Sequence, residues 1–138
     1  MLFASDLMTV EPDTVAPNAT LREALVIMNV ADDRQLPVLE NGRLVGIITN
    51  RDIRLALDSP LLDKDSFMRM HILHEHTVAE CMTPDPITVS STTPIHEVAE
   101  LLVLHKIGGL PVMENGVLVG IITITDLLRQ MAKPPQTT

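Results

Sequence analysis

Two stretches gather groups able to hold a polar ligand: Gly46-Ile47-Ile48-Thr49-Asn50-Arg51-Asp52 and Gly120-Ile121-Ile122-Thr123-Ile124-Thr125-Asp126. In each, an apolar run ends in Gly-x-x-Thr and leads into a segment whose first turn holds an aspartate. If that segment is a helix, a hydroxyl, a carboxylate and free backbone N–H groups converge at its start. An ionised carboxylate can accept two hydrogen bonds and so suits a vicinal diol such as that of ribose. The threonine and the helix N-terminus suit a phosphate. The same residues also have a purely structural use, because Thr-x-x-Asp at a helix start is a capping box, worth about 0.3–1 kcal/mol. That the motif occurs twice does not separate the two uses, since duplication copies a cap as faithfully as a site.

The elements that must position these groups are written twice. Shifting the chain by 74 positions lays Leu36-Pro37-Val38 on Leu110-Pro111-Val112, Met8-Thr9 on Met82-Thr83, Glu40-Asn41-Gly42 on Glu114-Asn115-Gly116 and Asp52 on Asp126, without a gap. Leu21, Ala24, Leu25 and Met28, and again Ile95, Val98, Ala99 and Leu102, form the stripe of an amphipathic helix. Thr20 with Glu23 reads as a capping box, and Thr93-Pro94 as a cap followed by the first helical residue. Asn41-Gly42 and Asn115-Gly116 sit between short apolar runs, the sequence signal of a hairpin whose turn needs positive φ at both positions. A helix follows each hairpin, roughly Asn50 to Asp58 and Ile124 to Ala132. Each copy thus runs short strand, helix, hairpin, helix, with a three-stranded sheet. A unit of this size buries too little surface to be secure alone, so the two copies are expected to pack together. The connecting segment from Ser59 to Thr77 holds Leu61, Leu62, Phe67, Met68, Met70, Ile72 and Leu73, too apolar for a loose tether. It is expected to be partly helical and docked.

Composition narrows the partners. Ten Lys+Arg against 18 Asp+Glu give a net charge of −8, and the aromatic residues are two Phe with no Trp or Tyr. Such a chain repels a phosphate backbone or an anionic membrane and lacks stacking platforms for nucleic acid. A nucleotide phosphate needs a nearby cation here. Arg34, Arg51 and Arg54 supply candidates around Asp52, whereas the second copy offers Lys106 and Arg129 and replaces Asn50-Arg51 by Ile124-Thr125. Unequal sites are therefore expected, the stronger at Asp52; the alternative for each arginine is a solvated helix face or a surface ion pair. His71, His74 and His76 have the spacing of metal ligands on a helix, but no further ligand is placed to complete a set, so no metal is expected. His96 and His105 read as surface residues. Cys81, the single cysteine, has no basic neighbour in sequence and reads as a small buried residue, with Met8 and Met82 as core plugs. No nucleophile–base set, carboxylate pair with a base, or Gly-rich phosphate loop is present, so the chain reads as no enzyme. The start of the chain lacks a basic leader with an apolar stretch, and the run Val117 to Ile122 is far short of the ~20 residues of a spanning helix. A cytoplasmic protein is expected.

Met-Thr near the start of each copy, the Leu-Pro-Val strand, the Asn-Gly hairpin and the closing Gly-Ile-Ile-Thr-x-x-Asp, in that order from about Ser5 to Met131, resemble the cystathionine β-synthase (CBS) domain present as a pair, the Bateman module. The lengthened connection is similar to that of stand-alone bacterial CBS-pair proteins of the acetoin-utilisation type. The resemblance implies an α+β fold: two βαββα repeats packed about a pseudo-twofold axis through their sheets, divided as 1–58, a connection at 59–77, 78–132 and a disordered tail at 133–138. It implies a homodimeric regulatory module that binds an adenosine-containing ligand in clefts between the repeats, AMP, ADP or ATP first, and signals to an effector protein in trans. No catalytic cofactor is implied. The alternatives are a structural dimerisation module with vestigial pockets, or a sensor of S-adenosylmethionine or NADH. By the resemblance, Asp52 and Asp126 hold ribose hydroxyls, and Thr49 and Thr123 lie near ribose or phosphate. The base is lined by Thr9, Val10, Thr83 and Pro84, by Leu36-Pro37-Val38 and Leu110-Pro111-Val112, and by Ile48 and Ile122. In some relatives the two positions before Leu-Pro-Val are basic and touch phosphates; here they are Arg34-Gln35 and Gly108-Gly109, a further source of inequality.

Overall fold

The computed structural model describes residues 1–31, 33–57 and 66–135. In chain order its elements are α1 (Ala4–Leu7), β1 (Thr9–Val10), α2 (Leu21–Ala31), β2 (Gln35–Glu40), β3 (Arg43–Thr49), α3 (Asn50–Leu57), α4 (Ser66–Glu75), α5 (Val78–Cys81), β4 (Thr83–Pro84), β5 (Val89–Ser90), α6 (Ile95–His105), β6 (Gly109–Glu114), β7 (Val117–Thr123) and α7 (Ile124–Met131). The fold is α+β, with the repeated helix–hairpin–helix order that the sequence predicts. Both hairpins turn as the Asn-Gly pairs require: φ is 52° at Asn41 and 78° at Gly42, 51° at Asn115 and 78° at Gly116. Asparagine tolerates and glycine favours this left-handed backbone, which matches the twist of the flanking strands.

The chain divides into two compact units that do not follow the repeats. One comprises Asp13–Pro86, the other Met1–Pro12 with Ile87–Thr138. In the first unit the sheet runs β2-β3-β4, all antiparallel, so the strand that opens the second repeat pairs with the hairpin of the first: Thr83 lies opposite Ile47 and Pro84 opposite Gly46. In the other unit the order is β1-β7-β6-β5, and Thr9 and Val10 lie opposite Ile121 and Gly120. Each repeat thus lends its leading Met-Thr strand to the other's sheet. The sheet of this second unit has four strands rather than the expected three, because Val89 and Ser90 run parallel to Val112 and Met113. The corresponding approach in the first unit forms only the Val15–Val38 bridge.

Gly46 and Gly120 make this exchange possible. A Cβ on Gly46 would fall 2.5 Å from Met82 Sδ and 2.9 Å from the Thr83 carbonyl oxygen; on Gly120, 2.6 Å from Met8 Sδ and 2.8 Å from the Thr9 carbonyl oxygen. A glycine inside a strand marks such a close backbone approach. Met8 and Met82 then lie against the two cores as plugs, each in the unit built on the other repeat's hairpin.

The stripes of α2 and α6 point where their periodicity predicts. Leu21, Ala24 and Met28 are buried with Leu36, Val38, Ile48 and Ile53 in one core; Val98 and Leu102 with Leu110, Val112 and Ile122 in the other. Burial of each Val, Leu, Ile or Met side chain among them is worth about 1.5–3 kcal/mol. From the connecting segment, α4 docks through the buried Leu73, while Phe67, Met68 and Met70 are exposed; α5, just beyond it, docks through Val78. Leu61 and Leu62 lie outside the described residues, as does the end of the tail, 136–138. One helix start differs from expectation: Pro94, not Thr93, takes the N-cap of α6. Thr93 turns its hydroxyl backwards, accepting from Ser90 N at 3.0 Å, so it closes the preceding turn instead of capping the helix. At α2 one bond of the expected capping box is present, Glu23 N donating to Thr20 Oγ1 at 3.1 Å.

Candidate functional site

The two Thr-x-x-Asp motifs stand where a strand hands over to a helix. In the first unit β3 delivers Thr49 to the start of α3. Thr49 N donates to Asp52 Oδ2 at 2.9 Å and Asp52 N donates to Thr49 Oγ1 at 3.1 Å, a reciprocal capping box. Asn50 N donates to the Arg34 carbonyl oxygen at 2.8 Å, which ties the residue before the hairpin to the same helix end. Arg34 and Arg51 are thereby brought to one place, with Arg54 one turn along α3. All three are exposed, and among the described residues none of them forms a salt bridge.

The second unit repeats the frame with different occupants. Asp126 Oδ2 accepts from Thr123 N at 2.8 Å and from the Thr123 hydroxyl at 3.1 Å, and Asp126 N donates to Thr123 Oγ1 at 3.3 Å. Ile124 N donates to the Gly108 carbonyl oxygen at 3.0 Å, so a glycine stands where the first unit has Arg34. The remaining oxygen, Oδ1, faces Arg129 Nη1 at 3.5 Å. Asp52 has no such partner among the described residues.

In both units the structural use of the motif is therefore real, and it consumes one carboxylate oxygen. The other oxygen has no partner at Asp52 among the described residues and is engaged by a cation at Asp126. Lys106, the second cation of that copy, takes the C-cap of α6 in left-handed backbone.

The residues expected to line a base fall into two groups. Thr83 and Pro84 are exposed and belong to the unit of Asp52; Thr9 and Val10 are exposed and belong to the unit of Asp126. Leu36, Val38, Ile48, Leu110, Val112 and Ile122 are 0% exposed. This corrects the expectation for those six: alternation along the strands turns them into the cores, so their side chains hold the sheet and offer no surface to a ligand. Pro37 and Pro111 are buried as well.

Composition and spacing did not reveal that the acidic motif of one repeat shares a sheet with the Met-Thr strand of the other. The glycine inside each Gly-Ile-Ile-Thr run was the available signal. Cys81 is half-buried in the first unit; burial first, then the charges of Glu80 and Asp52, push its thiol above the ordinary value, which keeps it protonated. His76 Nδ1 pairs with Glu80 Oε2, and that hydrogen bond is the first reason the Glu80 carboxyl lies below its usual range. Among the described residues no three His, Cys, Asp or Glu side chains are grouped to hold a metal ion, and no helix is long and apolar enough to cross a membrane.

Comparison with known proteins agrees with this frame. The CBS domain profile matches residues 4–59 and 78–133. The CBS domain pair of protein MJ0100, solved with 5′-methylthioadenosine and S-adenosyl-L-methionine, superposes with a TM-score of 0.80 at 29% identity, over 95% of this chain and 96% of that one. CBSX2 in complex with AMP gives 0.79 at 28% identity, over 95% and 97%. An acetoin utilization protein (AcuB) from Vibrio cholerae gives 0.75 at 32% identity, over 98% and 99%.

Proposed function

The chain belongs to the CBS domain family, carrying the domain twice, and from that premise we propose that it is a non-catalytic regulatory module for an adenosine-containing ligand. One observation carries the reading. Asp52 spends a single oxygen on its helix cap and, among the described residues, keeps Oδ1 unpartnered, beside three arginines without salt bridges. A carboxylate oxygen so placed accepts a ribose hydroxyl, while Arg34, Arg51 and Arg54 supply the positive charge that a phosphate needs in a chain of net charge −8. Thr49 and Thr123 hold the two carboxylates in place and lie next to the sugar. Thr83 and Pro84 serve the Asp52 site and Thr9 and Val10 the Asp126 site, as exposed neighbours on the same sheets. The arginines favour AMP, ADP or ATP as the ligand.

A second reading has its own support. The MJ0100 pair holds S-adenosyl-L-methionine and 5′-methylthioadenosine, ligands that share the adenosine but carry no phosphate. The module acts as a homodimer in the cytoplasm and transmits occupancy to an effector protein in trans. A ligand drives that change only by binding one packing of the module more tightly than another.

Calorimetric titration of the full chain with AMP, ADP, ATP, S-adenosylmethionine and NADH tests this. Micromolar binding of an adenine nucleotide, weakened by Asp52→Ala, is the expected result. Silence towards all five compounds would leave a structural dimerisation module whose Thr-x-x-Asp motifs are caps and nothing more. Asp52→Asn, which keeps an acceptor for the cap, separates loss of binding from loss of the helix start.

A further inference from the structure

The two Thr-x-x-Asp frames align without a gap, and among their differences is the position three residues beyond the aspartate: Leu55 in the first copy, Arg129 in the second. Both side chains lie outside, Leu55 at 63% exposure and the Arg129 side chain at 70%, so neither is needed by a core. The Asp126 side chain is only 9% exposed, and its Oδ2 is already saturated by Thr123. Oδ1 is the one oxygen left to meet a ligand, and Arg129 Nη1 stands 3.5 Å from it. A sugar hydroxyl that donates to this oxygen must displace the guanidinium or share the oxygen with it.

Resting on the reading of Asp126 as a sugar acceptor, we propose that Arg129 sets the order in which the two sites fill, by competing with the ligand's diol for Asp126 Oδ1. Arg129 is a specificity-determining residue in this role and not a ligand contact. The pair is solvent-exposed on the arginine side, so its strength is that of a surface ion pair, and removing it tightens the Asp126 site by up to about fivefold. The sign matters more than the size, because an arginine that held a phosphate would act in the opposite direction.

Adenosine separates the two, since it presents the diol without a phosphate. Titrations of adenosine into Asp52→Ala and into Asp52→Ala/Arg129→Leu read the Asp126 site alone; the double variant is expected to bind up to about fivefold more tightly. The reciprocal pair, Asp126→Ala and Asp126→Ala/Leu55→Arg, is expected to show weakening of the Asp52 site by a similar factor. Adenosine binding that requires the aspartates but is unchanged or weakened by Arg129→Leu overturns this inference and leaves the sugar reading standing. Adenosine binding that survives loss of both aspartates, or none in the unaltered chain, overturns both.

Discussion

At the scale of single residues, the structure shows a carboxylate that caps a helix with one oxygen and leaves its other oxygen outside the cap. A carboxylate has enough acceptor capacity to cap a helix and still meet a ligand; Asp52 and Asp126 differ in what reaches the second oxygen and in the further bond that Asp126 Oδ2 accepts from the Thr123 hydroxyl. The inequality of the copies was legible in sequence as a difference in arginines, but its sense at Arg129 was not. Spacing of i, i+3 permits a contact without saying which oxygen it takes. Gly46 is the opposite case, a residue whose whole role is to have no side chain. Gly46→Ala sets a methyl against Met82 Sδ and the Thr83 carbonyl. The sulfur can swing away but the backbone oxygen cannot without moving β4, so a loss of about 1–3 kcal/mol is expected. Urea denaturation of the full chain checks it; an unchanged midpoint would mean that the strand does not approach so closely.

Among the elements, those with local causes were the ones that could be read in advance. The hairpins followed from Asn-Gly because both positive φ values belong to adjacent residues, and the faces of α2 and α6 followed from a period of 3.6. The short helices α1 and α5 left no such trace, since four residues carry no periodicity. The start of α6 differs by a residue: Pro94 takes the N-cap, and the Thr93 hydroxyl accepts from Ser90 N instead of a helical N–H. The caps of α3 and α7 give a prediction at this scale. Thr49→Ala deletes the acceptor for Asp52 N and Thr123→Ala deletes both that acceptor and a donor to Asp126 Oδ2, so each costs about 1 kcal/mol, the second no less than the first. Thermal melts give the cost, and faster hydrogen exchange confined to the first turn of the affected helix shows that the cap is the cause. Equal exchange in mutant and parent would remove the capping role from the motif.

For the whole molecule, the unit of sequence and the unit of structure are different objects. Residues 13–86 carry their own β4, with Leu73 and Val78 in the core and Met82 packed against it; a fragment ending at 58 lacks all of them. Expressed separately, 13–86 is expected to melt cooperatively with helical circular dichroism, while 1–58 is expected to lack a cooperative transition. A cooperative transition in 1–58 alone would contradict the exchange of strands. What the sequence determined by itself was the repeat, the order of its elements, the buried stripes, the turns and the acidic motif. The repeat is a comparison of the chain with itself; each of the others depends on neighbours within a dozen residues, where spacing along the chain stands in for distance. Tertiary structure alone decided that Met82-Thr83 shares a unit with Asp52 and Met8-Thr9 with Asp126, that six apolar strand residues face inwards, and that Arg129 meets Asp126. Strand exchange joins residues more than thirty positions apart through backbone hydrogen bonds, which any residue but proline can donate, so side-chain chemistry along the chain gives no sign of the partner.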